Sequence, residues 1–382
     1  MRVAFLGFDF GEYCIRLAGG IAEEADNKVL LLLPGTEGEP YRYLLSPDVD
    51  CRLFHRPRNR QPIHQMKMVL WLVSQIRAFK PDVLHLQLGH MWFNLIGLPF
   101  LRDIPLVLTV HDARIHVGDT ATAKTPQWIY DLACFQARER IVHAPQVKEL
   151  LVNRTGILPG TVHVMPYVMV GDVDVSVGED ISEEPLVLFF GRIWKYKGLK
   201  YLIEAEPLIT SRVPDAKIVI AGTGEDFEPY RRMMVNPENF IVHNEFVSDE
   251  KRAELFRRAS VVVLPYIEAS QSHITCIAYR FGKPVVATAV GGLPEMVENG
   301  RTGYLVPPRN PQELADAVVR LMKDNQLRHS FGANGMQKVN VECAPAVVGQ
   351  STARVYRIAT SRASSSGGNL VSKESASRQG TS

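Results

Sequence analysis

Short, fully apolar runs alternate with stretches of helical spacing along this chain, and the rhythm plays through twice. In the first half Arg2–Leu6, Val29–Leu33, Val83–Leu88, Leu106–Val110, Arg140–Ala144 and Val162–Val164 read as strands, with helical spacing at Gly11–Glu24 and Leu70–Ala78. In the second half the strand-like runs are Leu186–Phe190, Lys217–Ala221, Phe240–His243, Val261–Leu264 and Pro284–Ala287. Helix patterns lie between and after them at Gly198–Ser211, Glu225–Met234, Asp249–Ala259, Ser272–Phe281 and Pro311–Asp324. A strand that is apolar at every position must be covered on both faces, which is the condition of a parallel sheet flanked by helices. Two such arrays in series predict an α/β chain of two doubly wound, Rossmann-like domains.

The 382 residues exceed what one core usually supports. The acidic, hydrophobe-poor stretch 171–184 is the expected linker. It separates an N-terminal domain, 1–170, from a C-terminal domain, 185–343. A last helix over 344–360 is expected to return to the first domain, and the Ser/Gly-rich tail 361–382 is expected to be disordered. Lys and Arg total 43 against 41 Asp and Glu, so the charge balance gives no case for a nucleic-acid partner. The start MRVAFLGFDF lacks the apolar core of a secretory signal, and Met91–Val110 is interrupted by Asn94, Arg102 and Asp103, which argues against a membrane span. The five cysteines show no CxxC spacing and read as buried thiols of a reducing compartment, hence a cytoplasmic location.

Open parallel sheets bind ligands beyond the carboxyl ends of their strands, and several features of the second half fall there. Gly191 begins the turn after Leu186–Phe190, followed by Arg192 and Lys197. A planar fork and a mobile point charge suit a diphosphate, although two solvated loop cations are an equal reading. After Val261–Leu264 comes Glu268-Ala269-Ser270-Gln271-Ser272-His273, leading into a helix. Backbone N–H groups at such a start can meet an anion, and Glu268 is placed to accept from sugar hydroxyls. Capping by Ser270 or Ser272 is the plainer reading. Gly291-Gly292-Leu293-Pro294-Glu295 and Gly222-Thr223-Gly224 close two further strands. Their glycines allow close backbone approach to a ligand, or simply a tight turn.

The stretches FFGRIWKYKGLKYLIEA, IAGTGE, ELFRRASVVVLPYIEAS and YRFGKPVVATAVGGLPEMVENGRTGYLVPP together resemble glycosyltransferase family 4, the retaining, nucleotide-sugar-dependent transferases of the GT-B fold. The first half fits more loosely, through Gly7…Gly11, PDVLHLQ and LTVHD. The resemblance implies two Rossmann-like domains facing a cleft. It implies that Arg192 and Lys197 are the Arg-x4-Lys pair that neutralises the donor diphosphate, and that Glu268 is the first acid of the Glu-x7-Glu motif, contacting the donor sugar. It further implies that the backbone from Ser270 through Ser272 and His273 to Ile274 meets phosphate. His111 would face the reaction centre, and the turn at Gly7–Tyr13, with Gly11, would close over donor and acceptor. Gly191, Gly222, Gly292 and Glu295 complete the expected donor-side set. The second acid is missing. Eight residues on from Glu268 stands Cys276, and counting back from Gly282-Lys283-Pro284 gives Ile277, with no carboxylate between Glu268 and Glu295. In the family that acid usually holds the nucleotide ribose.

The activity so implied is transfer of a sugar from a UDP- or GDP-sugar co-substrate, with no further cofactor and no metal, to a sugar, lipid-linked or small-molecule acceptor. Asp172-Val173-Asp174 lies in the linker and has the wrong context for a metal motif. The acceptor side should include His55–Arg60, the helix around Met66–Lys80 and a polar loop over His116–Lys124. A basic loop beside an apolar helix is compatible with peripheral contact with an anionic membrane, or with an ordinary core helix under a solvated loop. A nucleotide-sugar epimerase and a non-catalytic nucleotide-sugar-binding homologue are the alternative readings.

Overall fold

The computed structural model describes residues 1–24, 26–87, 89–114, 126–171 and 182–376, with side chains described to residue 362. Among these residues the chain forms two all-parallel sheets. The first runs through β1 (Arg2–Gly7), β2 (Lys28–Pro34), β3 (Val49–Phe54), β4 (Val83–Gln87), β5 (Leu106–Thr109), β6 (Glu139–Val142) and β7 (Val162–Val164). The second runs through β8 (Leu186–Phe190), β9 (Lys217–Ala221), β10 (Phe240–His243), β11 (Ala259–Leu264), β12 (Val285–Thr288) and β13 (Gly303–Val306). Central strands such as β1, β4, β8 and β11 are buried along nearly their whole length because helices cover both faces.

The helices of the first domain are α1 (Gly11–Ala22), α2 (Gly35–Gly38), α3 (Pro62–Phe79), α4 (Gln127–Gln136) and α5 (Pro145–Thr155). Those of the second are α6 (Leu199–Thr210), α7 (Glu228–Arg231), α8 (Asp249–Arg258), α9 (His273–Arg280), α10 (Leu293–Met296), α11 (Pro311–Lys323) and α12 (Asn325–Glu342). A last helix, α13 (Pro345–Ala376), packs on the first domain. The strand orders are β3-β2-β1-β4-β5-β6-β7 and β10-β9-β8-β11-β12-β13. Each order reverses direction once, between β1 and β4 and between β8 and β11. The crevice beyond the carboxyl ends at such a reversal is where this architecture leaves room for a ligand.

α13 is fastened to the first domain by polar contacts along its length. Tyr356 Oη lies 2.7 Å from His85 Nδ1, Arg357 pairs with Glu24 at 2.9 Å, and Arg362 pairs with the fully buried Glu139 at 2.5 Å. Gly20 lets α1 and α13 touch, since a Cβ there would sit 1.9 Å from the Pro345 carbonyl oxygen.

Several expectations need correction. The last helix, expected over 344–360, is longer and runs to Ala376. The helix expected over Glu225–Met234 is the single turn α7. The Asp226 side chain accepts from the Glu228 N–H at 3.1 Å, and Asn236-Pro237 turns the chain away. Strands β3 and β13, at sheet edges, and helix α12 were not anticipated. β3 alternates polar and apolar residues, and α12 lacks a clear apolar stripe. Within the expected linker, residues 172–181 lie outside the described residues, Asp172-Val173-Asp174 among them. The linker's last acids belong to the second domain. Glu183 pairs with Lys283 at 2.8 Å and Arg328 at 2.8 Å, and Glu184 pairs with Arg258 at 2.6 Å. The polar loop 116–124 and Leu88 also fall outside the described residues.

Candidate active site

Beyond β8 the chain turns at Gly191, whose φ is 115°, and carries Arg192 and Lys197 into a one-turn 3-10 helix over Lys195–Lys197. Gly198, with φ 66°, then opens α6. A Cβ on Gly198 would lie 1.9 Å from the Pro265 carbonyl oxygen, so this turn is pressed against the segment after β11. That segment is tied to it by the Ile267 and Glu268 N–H groups, which donate to the Tyr196 carbonyl at 2.8 and 3.4 Å. The backbone of the acid at 268 is therefore anchored next to Lys197. The Lys197 ammonium lies 3.8 Å from the Tyr266 ring centroid and 5.2 Å from that of Tyr196. An ammonium over aromatic faces keeps its charge while its direction is fixed.

Ser272 stands just before α9 and His273 begins it. Ser270 and Ser272 are buried, and Ser272 Oγ lies 3.2 Å from Tyr266 Oη. The Ser272 side chain makes no capping bond; its carbonyl accepts from the Thr275 N–H at 3.2 Å. The capping reading of the Ser272 side chain therefore fails. Ile274 is buried beneath the Gly191 turn. His273 is exposed to solvent at the start of α9, the helix that follows β11.

The glycines anticipated at close approaches each meet backbone of a neighbouring loop. A Cβ at Gly222 (φ 142°) would fall 2.0 Å from the Gly191 carbonyl oxygen, and one at Gly291 (φ 51°) would fall 1.5 Å from that of Ala269. Gly292 donates its N–H to the Ser270 carbonyl at 3.1 Å. These residues let neighbouring loops pack onto the loops that follow β8 and β11, backbone on backbone. Gly11 is the same on the other wall, where a Cβ would lie 1.8 Å from the Glu37 carbonyl oxygen.

The opposite wall comes from the first domain. After β1, Phe10 takes a left-handed conformation with φ 62° and sets its half-exposed ring 4.5 Å from His111. His111, just past β5, is 4% exposed and also packs near Tyr13, His143 and Tyr167. Its Nε2 meets the Gln87 amide at the end of β4, and its Nδ1 lies 3.1 Å from the Gln271 amide nitrogen across the cleft. Gln87 Oε1 has no partner when the amide nitrogen faces the ring. Turning that amide over satisfies the oxygen with an Nε2 proton and leaves Nδ1 to accept from Gln271. Burial, then the neighbouring His143, brings the His111 pKa down to about 3, so the ring is neutral near pH 7.

Two further polar contacts cross the cleft. Arg114 Nη2 lies 3.5 Å from Glu268 Oε1, and Gln146 Nε2 donates to Glu295 Oε1 at 3.5 Å. Between them is a cavity of about 240 Å³ lined from both domains. The position of the missing acid is no part of it. Cys276 and Ile277 are 1% and 4% exposed and face the core. Burial pushes the Cys276 thiol up to about 11, and Ile277 packs on Gly171.

Residues 184–324 match the model described as glycosyl transferases group 1, and residues 11–167 match that of glycosyltransferase family 4. A D-inositol 3-phosphate glycosyltransferase of Kribbella flavida is 30% identical over 321 residues, covering 73% of this chain and 72% of that protein.

The chain belongs to the family 4 glycosyltransferases.

This transferase is also similar to an alpha-D-kanosaminyltransferase of Streptomyces kanamyceticus, at 26% identity over 278 residues, 67% of this chain and 71% of that one. Two solved structures share its fold. A sucrose-phosphate synthase from Thermosynechococcus elongatus superimposes with a TM-score of 0.70 at 18% identity, over 94% of this chain and 98% of that one. Anabaena HepE in complex with UDP-glucose superimposes with a TM-score of 0.69 at 18% identity, over 93% and 98%. The transferase is an enzyme of the GT-B fold, and no helix among its described residues is long and apolar enough to cross a membrane.

Of the residues singled out from the sequence, Lys197 and Ser272 meet Tyr266, Glu268 is tied to the turn before Lys197, and His111 meets Gln271 between Ser270 and Ser272, whereas Ile274 lies buried beneath the Gly191 turn. Sequence reasoning missed Gln87, Gln271, Arg114, Phe10 and Tyr266. Gln87 and Tyr266 each sit at or just past the carboxyl end of a recognised strand, and that position was the available signal. Gln271 and Arg114 are defined only by the partner they meet across the cleft.

Proposed function

We propose that the enzyme moves a sugar from a nucleotide-diphosphate sugar to an acceptor with retention of configuration, and that Arg192 and Lys197 neutralise the leaving diphosphate in place of a metal. The observation that carries this reading is the Lys197 ammonium held 3.8 Å from the Tyr266 ring, on a turn that follows Arg192 and whose Tyr196 carbonyl anchors the Glu268 backbone beside it. Cations already fixed in place stabilise a departing phosphate without reorganising when the bond breaks.

In this reading the sugar lies between Glu268 and the neutral His111. Glu268 accepts from ring hydroxyls. Attack comes from the same face as departure, and the leaving phosphate takes the acceptor's proton, so the protein's task is positioning and charge stabilisation. With Cys276 and Ile277 turned into the core, the ribose is held by other groups.

UDP is the favoured nucleotide, supported by the fold shared with HepE, whose solved complexes contain UDP and UDP-glucose. The acceptor is a sugar, a lipid-linked sugar or a small molecule, entering from the first domain. Its face there has no Asp or Glu between Asp50 and Asp82 and exposes Ile63 and Leu70 on α3, which supports peripheral contact with an anionic membrane. The five unpaired cysteines support a cytoplasmic location. The test is single-turnover transfer from UDP-sugars in a chelator. Turnover that requires an added divalent ion, or inverted product, contradicts the reading.

A further inference from the structure

Three residues past His111 the chain places Arg114 on the acceptor-side wall. Its Nη2 lies 3.5 Å from Glu268 Oε1, and its side chain is 54% exposed. That is longer than the 2.7–2.9 Å typical of a charge-assisted hydrogen bond. A pair this open to water is readily exchanged for ligand contacts. Both residues line the cavity shared by the two domains, where Gln146, Val147 and Leu150 complete the first-domain wall without a negative charge.

Sugar hydroxyls that engage the Glu268 carboxylate compete with Arg114 for its oxygens, and a guanidinium released from that contact, lining the same cavity, presents a planar fork of donors to another anion. We propose that Arg114 is a specificity-determining residue that receives an anionic group, a carboxylate, sulfonate or phosphate, carried by the donor sugar or the acceptor. In the unliganded enzyme Glu268 holds that place. The inference rests on the reading of Glu268 as the sugar-side acid in the proposed function.

The test titrates the full-length enzyme, Arg114→Gln and Arg114→Lys by calorimetry with UDP-glucuronate and UDP-glucose. With UDP saturating, it also titrates glucose 6-phosphate and glucose. The unsubstituted enzyme should bind the charged member of one pair roughly tenfold or more tightly, the worth of one hydrogen bond to a charged group. Arg114→Gln should abolish that preference and Arg114→Lys should keep part of it. Preference in the first pair places the anion on the donor; preference in the second places it on the acceptor. Equal affinities within both pairs, or a preference that survives Arg114→Gln, overturn the assignment alone. Failure of the unsubstituted enzyme to bind UDP overturns the proposed function and this assignment with it.

Discussion

The ammonium of Lys197 sits 3.8 Å from the centre of the Tyr266 ring, so a cation after β8 is steered by an aromatic residue after β11. The two strands flank the reversal of the second sheet, and the contact joins its two ligand-side loops. Tyr266→Phe keeps the ring and should leave the transfer rate within about threefold. Tyr266→Leu removes the face that aims the ammonium and should lower the rate by about tenfold, from an interaction of ~1.4 kcal/mol. Single-turnover rates with saturating donor distinguish the two.

His111 is neutral near pH 7 because burial, then His143, depresses its pKa to about 3. The transfer rate should therefore show no inflection from this residue between pH 5 and 8. His111→Ala should reduce the rate at every pH in that range by a similar factor. An acid limb near pH 6 that disappears in His111→Ala would show that the ring titrates during turnover.

His85, His111 and His143 share this depression, to about 3, 3 and 4, chiefly by burial. Unfolding frees each to bind a proton below its ordinary pKa of ~6.5. Their contribution is fully present above that value and is lost as pH falls toward the folded pKa. Each should cost about 1.4 kcal/mol of stability per pH unit in that window. Urea unfolding at pH 7 and pH 5 checks the sign, and His85→Gln should make the pH slope shallower.

Gly291 combines a φ of 51° with a backbone contact that leaves no space for a Cβ. Gly291→Ala should displace the Ala269–Ser270 segment and weaken nucleotide binding, with a stability loss on the order of 1–3 kcal/mol. Gly300 has a φ of 77° but open space around it, so Gly300→Ala isolates the conformational part of the cost. Equal losses for the two variants would remove the packing role given to Gly291.

Restoring the family's second acid should fail here. Ile277 is 4% exposed and packs on Gly171, so Ile277→Glu buries a carboxylate in the core and should cost several kcal/mol. Thermal unfolding should show a clear drop with no gain in UDP affinity. A gain in affinity would mean that the start of α9 can turn this position to the cleft.

Strands apolar on both faces and the loops at their carboxyl ends were legible in the sequence, because each signal lies within a dozen residues. That is why β8 with Arg192 and Lys197, and β11 with Glu268, could be read directly. The edge strands β3 and β13 could not, since half-exposed strands carry polar residues such as Asp50 and Arg52. For Gly222 and Gly291 a ligand approach and a tight turn stayed equal readings, because sequence shows the absence of a side chain but not what occupies its place. Contacts across the cleft, His111 with Gln271 and Arg114 with Glu268, depend on how two domains meet, and no local pattern encodes that.

The central claim is that Arg192 and Lys197 act together on one diphosphate. Calorimetric titration of UDP and uridine into the unsubstituted enzyme and into Arg192→Ala/Lys197→Ala tests it most directly. The account predicts that the double variant loses at least about a hundredfold in UDP affinity, two charged contacts at over 1 kcal/mol each, while uridine affinity barely changes. UDP binding equally tightly to both proteins would contradict it.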